Sequence, residues 1–117
     1  KEGSNSYLVL EDITAKYSKP CTIDVKMGKQ SYEPDADKEK QKRESNKYPQ
    51  QMEFGLRIVG MRVYDPSHKD ACENGFVFFT KHYGRSLRER EKLKDAFIIY
   101  FGVGNSERSL SCVICQL

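Results

Sequence analysis

The 117-residue sequence has no tryptophan, two histidines and four prolines. It also lacks any apolar run approaching the roughly 20 residues that span a bilayer. No basic, apolar and small-residue leader opens it, so membrane insertion and ordinary secretion are not expected. A net charge of +3 is too small for a histone-like polycation, yet it allows a local basic site for an anion. The four cysteines, at 21, 72, 112 and 115, form no dense disulfide framework, and reduced thiols are expected. The chain is 32% charged and only 38% hydrophobic. Its 7 Tyr and 6 Phe nevertheless cluster with Val, Ile and Leu in compact runs, which argues against global disorder. The length fits one small domain or a piece of a larger one.

Read along the chain, residues 1–6 are loop and Tyr7-Leu8-Val9-Leu10 is a short buried strand. Pro20 opens a second strand, Cys21–Met27, closed by Gly28. Alternation puts Ile23, Val25 and Met27 on one face and Asp24 and Lys26 on the other. Asp35 is the expected N-cap of a helix reaching about Lys47, stopped by Tyr48-Pro49. That helix has no apolar stripe. Phe54–Tyr64 is the strongest strand signal; its apolar phase switches midway, predicting a bulge near Gly60 or burial on both faces. After a polar loop, Asp65–Gly75, the segment Phe76–Lys81 pairs back antiparallel. Ser86-Leu87-Arg88-Glu89 fits a capping box. Leu93, Ala96, Phe97, Tyr100 and Phe101 then space as a helix ended by Gly102 and Gly104. Leu110, Val113, Ile114 and Leu117 begin another stripe, so both ends read as cut from a larger domain. The fold class expected is α+β.

Three constellations can carry chemistry. Asp24 and Lys26 share one strand face: the carboxylate can hold sugar hydroxyls or a metal, and the ammonium a phosphate. The same spacing also describes a plain surface ion pair. On the charged helix, Lys40, Arg43 and Lys47 fall on one arc at 100° per residue, a stripe suited to a polyanion. A solvated helix braced by Glu39–Arg43 and Lys40–Glu44 pairs fits equally. Cys112-x-x-Cys115 has zinc or redox spacing, but its flanking Val113 and Ile114 read as buried thiol surroundings. Neither Ser4 nor Ser86 has a His and Asp arrangement for a nucleophile, and no glycine-rich phosphate loop is present.

Pro20-Cys21-Thr22-Ile23-Asp24-Val25-Lys26-Met27-Gly28 matches Pro-x-x-x-Asp-x-Lys-x-Gly, which resembles the signature of the inositol polyphosphate kinase family. Tyr7–Thr14, Lys47-Tyr48-Pro49, Gly60-Met61-Arg62-Val63-Tyr64 and Tyr83-Gly84-Arg85-Ser86-Leu87 follow the family order. The short helix before Lys47 and the Glu11-Asp12-Ile13-Thr14 segment are most similar to the multikinase branch. Trisphosphate 3-kinases carry a larger insertion there, and hexakisphosphate kinases a differently built segment.

The resemblance implies a two-lobed, protein-kinase-like α+β fold with an antiparallel sheet and a nucleotide in the cleft. Residues 1–117 would be a partial kinase domain: hinge, signature strand, substrate helix and part of the larger lobe. An amino-terminal lobe and a carboxy-terminal magnesium motif would lie elsewhere, and the piece by itself is expected to be inactive. The backbone of Glu11 and Ile13 would hold the adenine edge. Asp24 would bind the ribose hydroxyls, and Lys26 would stabilise the transferring phosphoryl group. Lys26, Lys40, Arg43 and Lys47 would face the substrate phosphates, although Arg43 and Glu44 stand where glutamines also occur. The implied reaction is direct phosphoryl transfer from ATP, with Mg2+, taking inositol tris- and tetrakisphosphates to the pentakisphosphate. Phosphoinositide headgroups are further candidate acceptors, and an intracellular site, nucleus or cytoplasm, is expected. The competing readings are a sister-branch kinase and a non-catalytic polyanion-binding module. Nucleic acid is not an expected partner, because no aromatic residue interleaves with the charges of the helix.

Overall fold

A computed structural model of the chain describes residues 3–102. The readings on Gly104, the Leu110–Leu117 stripe and the Cys112/Cys115 pair lie outside the described residues. Three strands, β1 (Thr22–Met27), β2 (Leu56–Tyr64) and β3 (Phe76–Phe79), form an antiparallel sheet in the order β1-β2-β3. Helices α1 (Lys38–Lys47) and α2 (Gln51–Phe54) lie between β1 and β2. Helices α3 (Lys81–Ser86) and α4 (Arg90–Phe101) follow β3. The class is α+β, as expected.

The phase switch in β2 is a bulge. Asp24 pairs with Gly60 and Val25 with Ile58, so Val59 is the extra residue. One added residue inverts the alternation. Leu56 and Ile58 before it, and Met61 and Val63 after it, therefore all reach the same core. Ile58 packs with Leu87, Leu93 and Ala96, and Met61 and Val63 pack with Tyr100. Ile23 and Val25 of β1 join this layer. Met27 keeps their phase but sits on the last rung, opposite Leu56, and stays exposed.

The closest approach in the core is between backbones. Gly84 of α3 lies against Ile58, and a Cβ there would collide with the Ile58 carbonyl. Gly28, which ends β1, has φ +100°, donates its N–H to the Gly55 carbonyl at 2.8 Å and accepts from Gln51 Nε2 at 3.0 Å. That left-handed conformation suits glycine and strains any residue with a Cβ.

Five expectations need correction. Tyr7–Leu10 is not a buried strand: it pairs with no strand among the described residues, and these side chains are 75–91% exposed. Apolar character makes a strand only where a ladder and a face exist to receive it. The cap of α1 is Asp37, whose Oδ1 accepts from the Lys40 amide at 2.7 Å. Asp35 lies in a preceding turn closed by the Ala36 amide on the Glu33 carbonyl. Phe54 ends α2 instead of opening β2. The Ser86 capping box does not form either. Thr80 caps α3 through the His82 amide, Ser86 ends that helix with Oγ on the Tyr83 carbonyl, and α4 starts at Arg90 without a side-chain cap. Phe76–Lys81 is thus strand only to Phe79.

None of the residues of α1 is buried. Its C-terminal neighbour Tyr48 is only 3% exposed and donates its hydroxyl proton to the Leu87 carbonyl at the α3–α4 corner. Burial raises the Tyr48 pKa above 10.0, so the hydroxyl keeps its proton at neutral pH. Replacing Tyr48 with Phe should destabilise the protein by about 1–3 kcal/mol by orphaning that carbonyl. A raised folded-state pKa gives stability present below the unfolded value and lost as pH rises through the folded one. The measured difference should therefore stay flat below pH 10.0 and shrink above it. Gly84→Ala should cost about 3 kcal/mol or more, because the clash is with backbone and no side chain can yield. Denaturant midpoints of the full-length variants check both.

Candidate functional site

The helices α3 and α4 occupy one face of the sheet, and the other face carries the polar alternates. Thr22, Asp24, Gly60, Arg62, Phe78 and Thr80 line a shallow groove of about 420 Å³ there. In register, Thr22 lies opposite Arg62, Asp24 opposite Gly60, and Lys26 opposite Arg57. Because Gly60 has no side chain, the rung holding Asp24 stays open. Asp24 and Lys26 are both exposed. Among the described residues neither makes a side-chain hydrogen bond or ion pair, so the surface-pair alternative is not what the strand uses.

Arg62 organises one end of this groove. Its Nε donates to the Pro20 carbonyl at 3.2 Å, and its guanidinium lies 5.2 Å from the Phe76 ring centroid. Asp12 lies within its field. The Asp12 carboxylate accepts from the amide and hydroxyl of Thr14, at 2.9 and 2.7 Å, and these bonds chiefly lower its pKa. The turn is closed by the Ala15 amide on the Asp12 carbonyl. Among the described residues it draws on none of the backbone groups of Glu11 or Ile13, which stay available to an outside partner. Their side chains are exposed.

The cations of α1 are less uniform than their shared arc predicts. Lys47 bonds Glu44 at 2.5 Å, and Lys40 sits 3.9 Å from Glu33. The predicted Glu39–Arg43 and Lys40–Glu44 braces are replaced by these pairs. Arg43 is exposed and has no ion pair among the described residues. Glu44 is held below the ordinary carboxylate range, first by the Lys47 hydrogen bond and then by the charges of Lys47, Arg43 and Arg57. A negative group at this point partly neutralises Lys47, so an arriving phosphate must compete with it.

Arg57 escaped the sequence reading. It is 7% exposed, and its Nη1 has no hydrogen-bond partner. The signal was an arginine at the outward phase of Leu56-Arg57-Ile58, on the rung opposite Lys26. Arg62 and Phe78 were likewise overlooked; both are outward residues of apolar-looking strands. Among the described residues no three His, Cys, Asp or Glu side chains gather to hold a metal. No described helix is long and apolar enough to cross a membrane.

A family model described as inositol polyphosphate kinase matches residues 7–117. Human inositol polyphosphate multikinase is 45% identical over 98 residues, covering 84% of this chain and 22% of the relative. Mouse inositol hexakisphosphate kinase 3 is 37% identical over 89 residues, covering 74% and 21%. A crystal structure of the Saccharomyces cerevisiae inositol phosphate multikinase with ADP and Mn2+ superposes with a TM-score of 0.63 at 32% identity. That superposition covers 81% of this chain and 42% of the other. The chain thus spans about a fifth of the length of the human and mouse relatives. Together with the signature strand and its open face, these matches show that the chain belongs to the inositol polyphosphate kinase family.

Proposed function

We propose that the protein carrying this chain transfers a phosphoryl group from ATP to inositol tris- and tetrakisphosphates, in the manner of the multikinases. The observation that carries the reading is the unpaired placement of Asp24 and Lys26 on one open sheet face. Asp24 accepts hydrogen bonds from the ribose hydroxyls in the groove beside Gly60. Lys26, two residues on, supplies positive charge where the phosphoryl group moves. The free backbone groups of Glu11 and Ile13 hold the adenine edge. Lys40, Arg43 and Lys47 meet the phosphates of the acceptor, with Arg43 the least encumbered of the three. Phosphoryl transfer depends on positioning and charge neutralisation more than on covalent help from the protein, and this inventory suits it.

The neighbouring yeast multikinase was crystallised with ADP and Mn2+, which supports nucleotide and divalent-metal use here. Magnesium, when bound, would supply positive charge that neutralises the charge developing on the transferring phosphoryl group. The described residues do not fit a metal site of their own, so its ligands are not assigned among them. Phosphoinositide headgroups present the same phosphate pattern and are proposed as secondary acceptors. A hexakisphosphate kinase is the second reading, favoured by the similarity to the mouse enzyme.

The full-length protein, given ATP, Mg2+ and inositol 1,4,5-trisphosphate, should produce tetrakis- and then pentakisphosphate, resolved by isomer. Asp24→Asn and Lys26→Ala should each lower kcat/KM by about 100-fold or more. Turnover of the hexakisphosphate in place of the trisphosphate would select the second reading. A folded, ATP-binding protein that phosphorylates neither would overturn the kinase assignment.

A further inference from the structure

A glycine inside a strand loses more backbone freedom on folding than any other residue and brings no side chain to pack, so its presence calls for a reason. Two such reasons are visible elsewhere in the chain. Gly28, Gly55, Gly75 and Gly102 have positive φ, and Gly84 has no room for a Cβ beside the Ile58 carbonyl. Gly60, in the middle of β2, has neither. Its φ is not positive, so the adjacent Val59 bulge does not demand glycine. Beyond its chain neighbours, a Cβ at Gly60 would meet one atom within 4 Å, the Phe79 carbonyl oxygen at 3.6 Å, in ordinary van der Waals contact. The fold would accept alanine here.

That Cβ would project from the face that carries Asp24, because Asp24 is the cross-strand partner of Gly60 and such partners share a face. The space it would enter is the floor of the groove of about 420 Å³. Neighbouring side chains are held away from that floor. Arg62 is bonded to the Pro20 carbonyl and lies against the Phe76 ring, and the Thr80 hydroxyl accepts from the His82 amide at 3.3 Å. Phe78, 57% exposed, stands opposite Arg62 as an apolar wall. A floor with a carboxylate on one side and an aromatic ring on the other suits a sugar, which presents both hydroxyls and C–H edges.

We infer that Gly60 is glycine for its ligand: it is a specificity-determining residue that leaves room for the nucleotide ribose to reach Asp24. The inference deepens the kinase reading and rests on it, since that reading puts the ribose at Asp24. A side chain at position 60 would occupy the space the hydroxyls need while leaving β2 intact.

Full-length Gly60→Ala and Gly60→Val test it through denaturant midpoints and calorimetric binding of ADP with Mg2+. The midpoints should stay at or above that of the parent, because a Cβ restores strand propensity without a clash. ADP affinity should fall about tenfold in Gly60→Ala and about 100-fold in Gly60→Val, the effect of overfilling a fitted site. Binding of 2′,3′-dideoxy-ADP, which lacks both hydroxyls, should change little. In steady-state assays KM for ATP should rise, with KM for inositol trisphosphate within about twofold of the parent. A lowered midpoint in Gly60→Ala overturns the inference, since glycine then serves the fold. Unchanged ADP affinity overturns it too, as do equal losses for ADP and its dideoxy analogue or a rise in KM confined to inositol trisphosphate. A parent that binds ADP but phosphorylates no inositol phosphate sinks the kinase reading and leaves the binding comparison decisive; a parent that binds no ADP overturns both.

Discussion

A hydroxyl-to-carbonyl bond, Tyr48 to Leu87, joins the two halves of this structure. On one side lies a helix of charged residues with nothing to bury; on the other, the corner where α3 meets α4 above the sheet. Full burial of Ile58 or Val63 contributes about 1.5–3 kcal/mol each, whereas an exposed ion pair contributes at most about 1 kcal/mol. The sheet and its two covering helices therefore hold the domain together. Helix α1 depends on that body through Tyr48. The Lys47-Tyr48-Pro49 block then has a physical content: a lysine paired with Glu44, a tether to the core, and a residue that stops the helix.

The two faces of the sheet divide the work. Apolar alternates from all three strands pack under α3 and α4, and the other face carries the polar alternates, with Asp24 and Lys26 in the open and Arg57 buried. Binding chemistry on the outer face can vary at little cost to the core, since no outer side chain on β1 is also a packing residue. The Asp12 turn extends this arrangement beyond the sheet. It satisfies itself with its own carboxylate and leaves the neighbouring backbone unspent.

What could be read from the sequence was what local periodicity encodes. Strand β1, the phase switch in β2, the antiparallel return of β3 and the stripe of α4 all repeat at short range. The Asp24–Lys26 face followed from alternation directly, and the cationic arc of α1 from helical spacing. The failures at the helix ends share a cause: each turned on competition between nearby alternatives. Asp35 and Asp37 are both good caps, and the turn at Glu33–Ala36 decides between them. Thr80 caps a helix ahead of Ser86 and absorbs it. Tyr7–Leu10 has strand composition without a strand partner among the described residues. Arg57 was hidden because a charge inside an apolar strand looks like ordinary outward alternation until its burial is known.

The Val59 bulge makes β2 a strand with two reading frames. Before it, even-numbered residues point into the core; after it, odd-numbered ones do. Deleting Val59 would merge the frames into one regular alternation and leave Ile58 and Met61 facing the core, whereas a one-residue insertion in the regular part of the strand without a new bulge would turn one half of it inside out. The Asp65–Gly75 loop, by contrast, can change length without altering any side chain's facing. Length variation among relatives of this chain should therefore gather in that loop, and within β2 be confined to gain or loss of the bulge residue, an indel pattern set by parity and independent of which residues bind substrate.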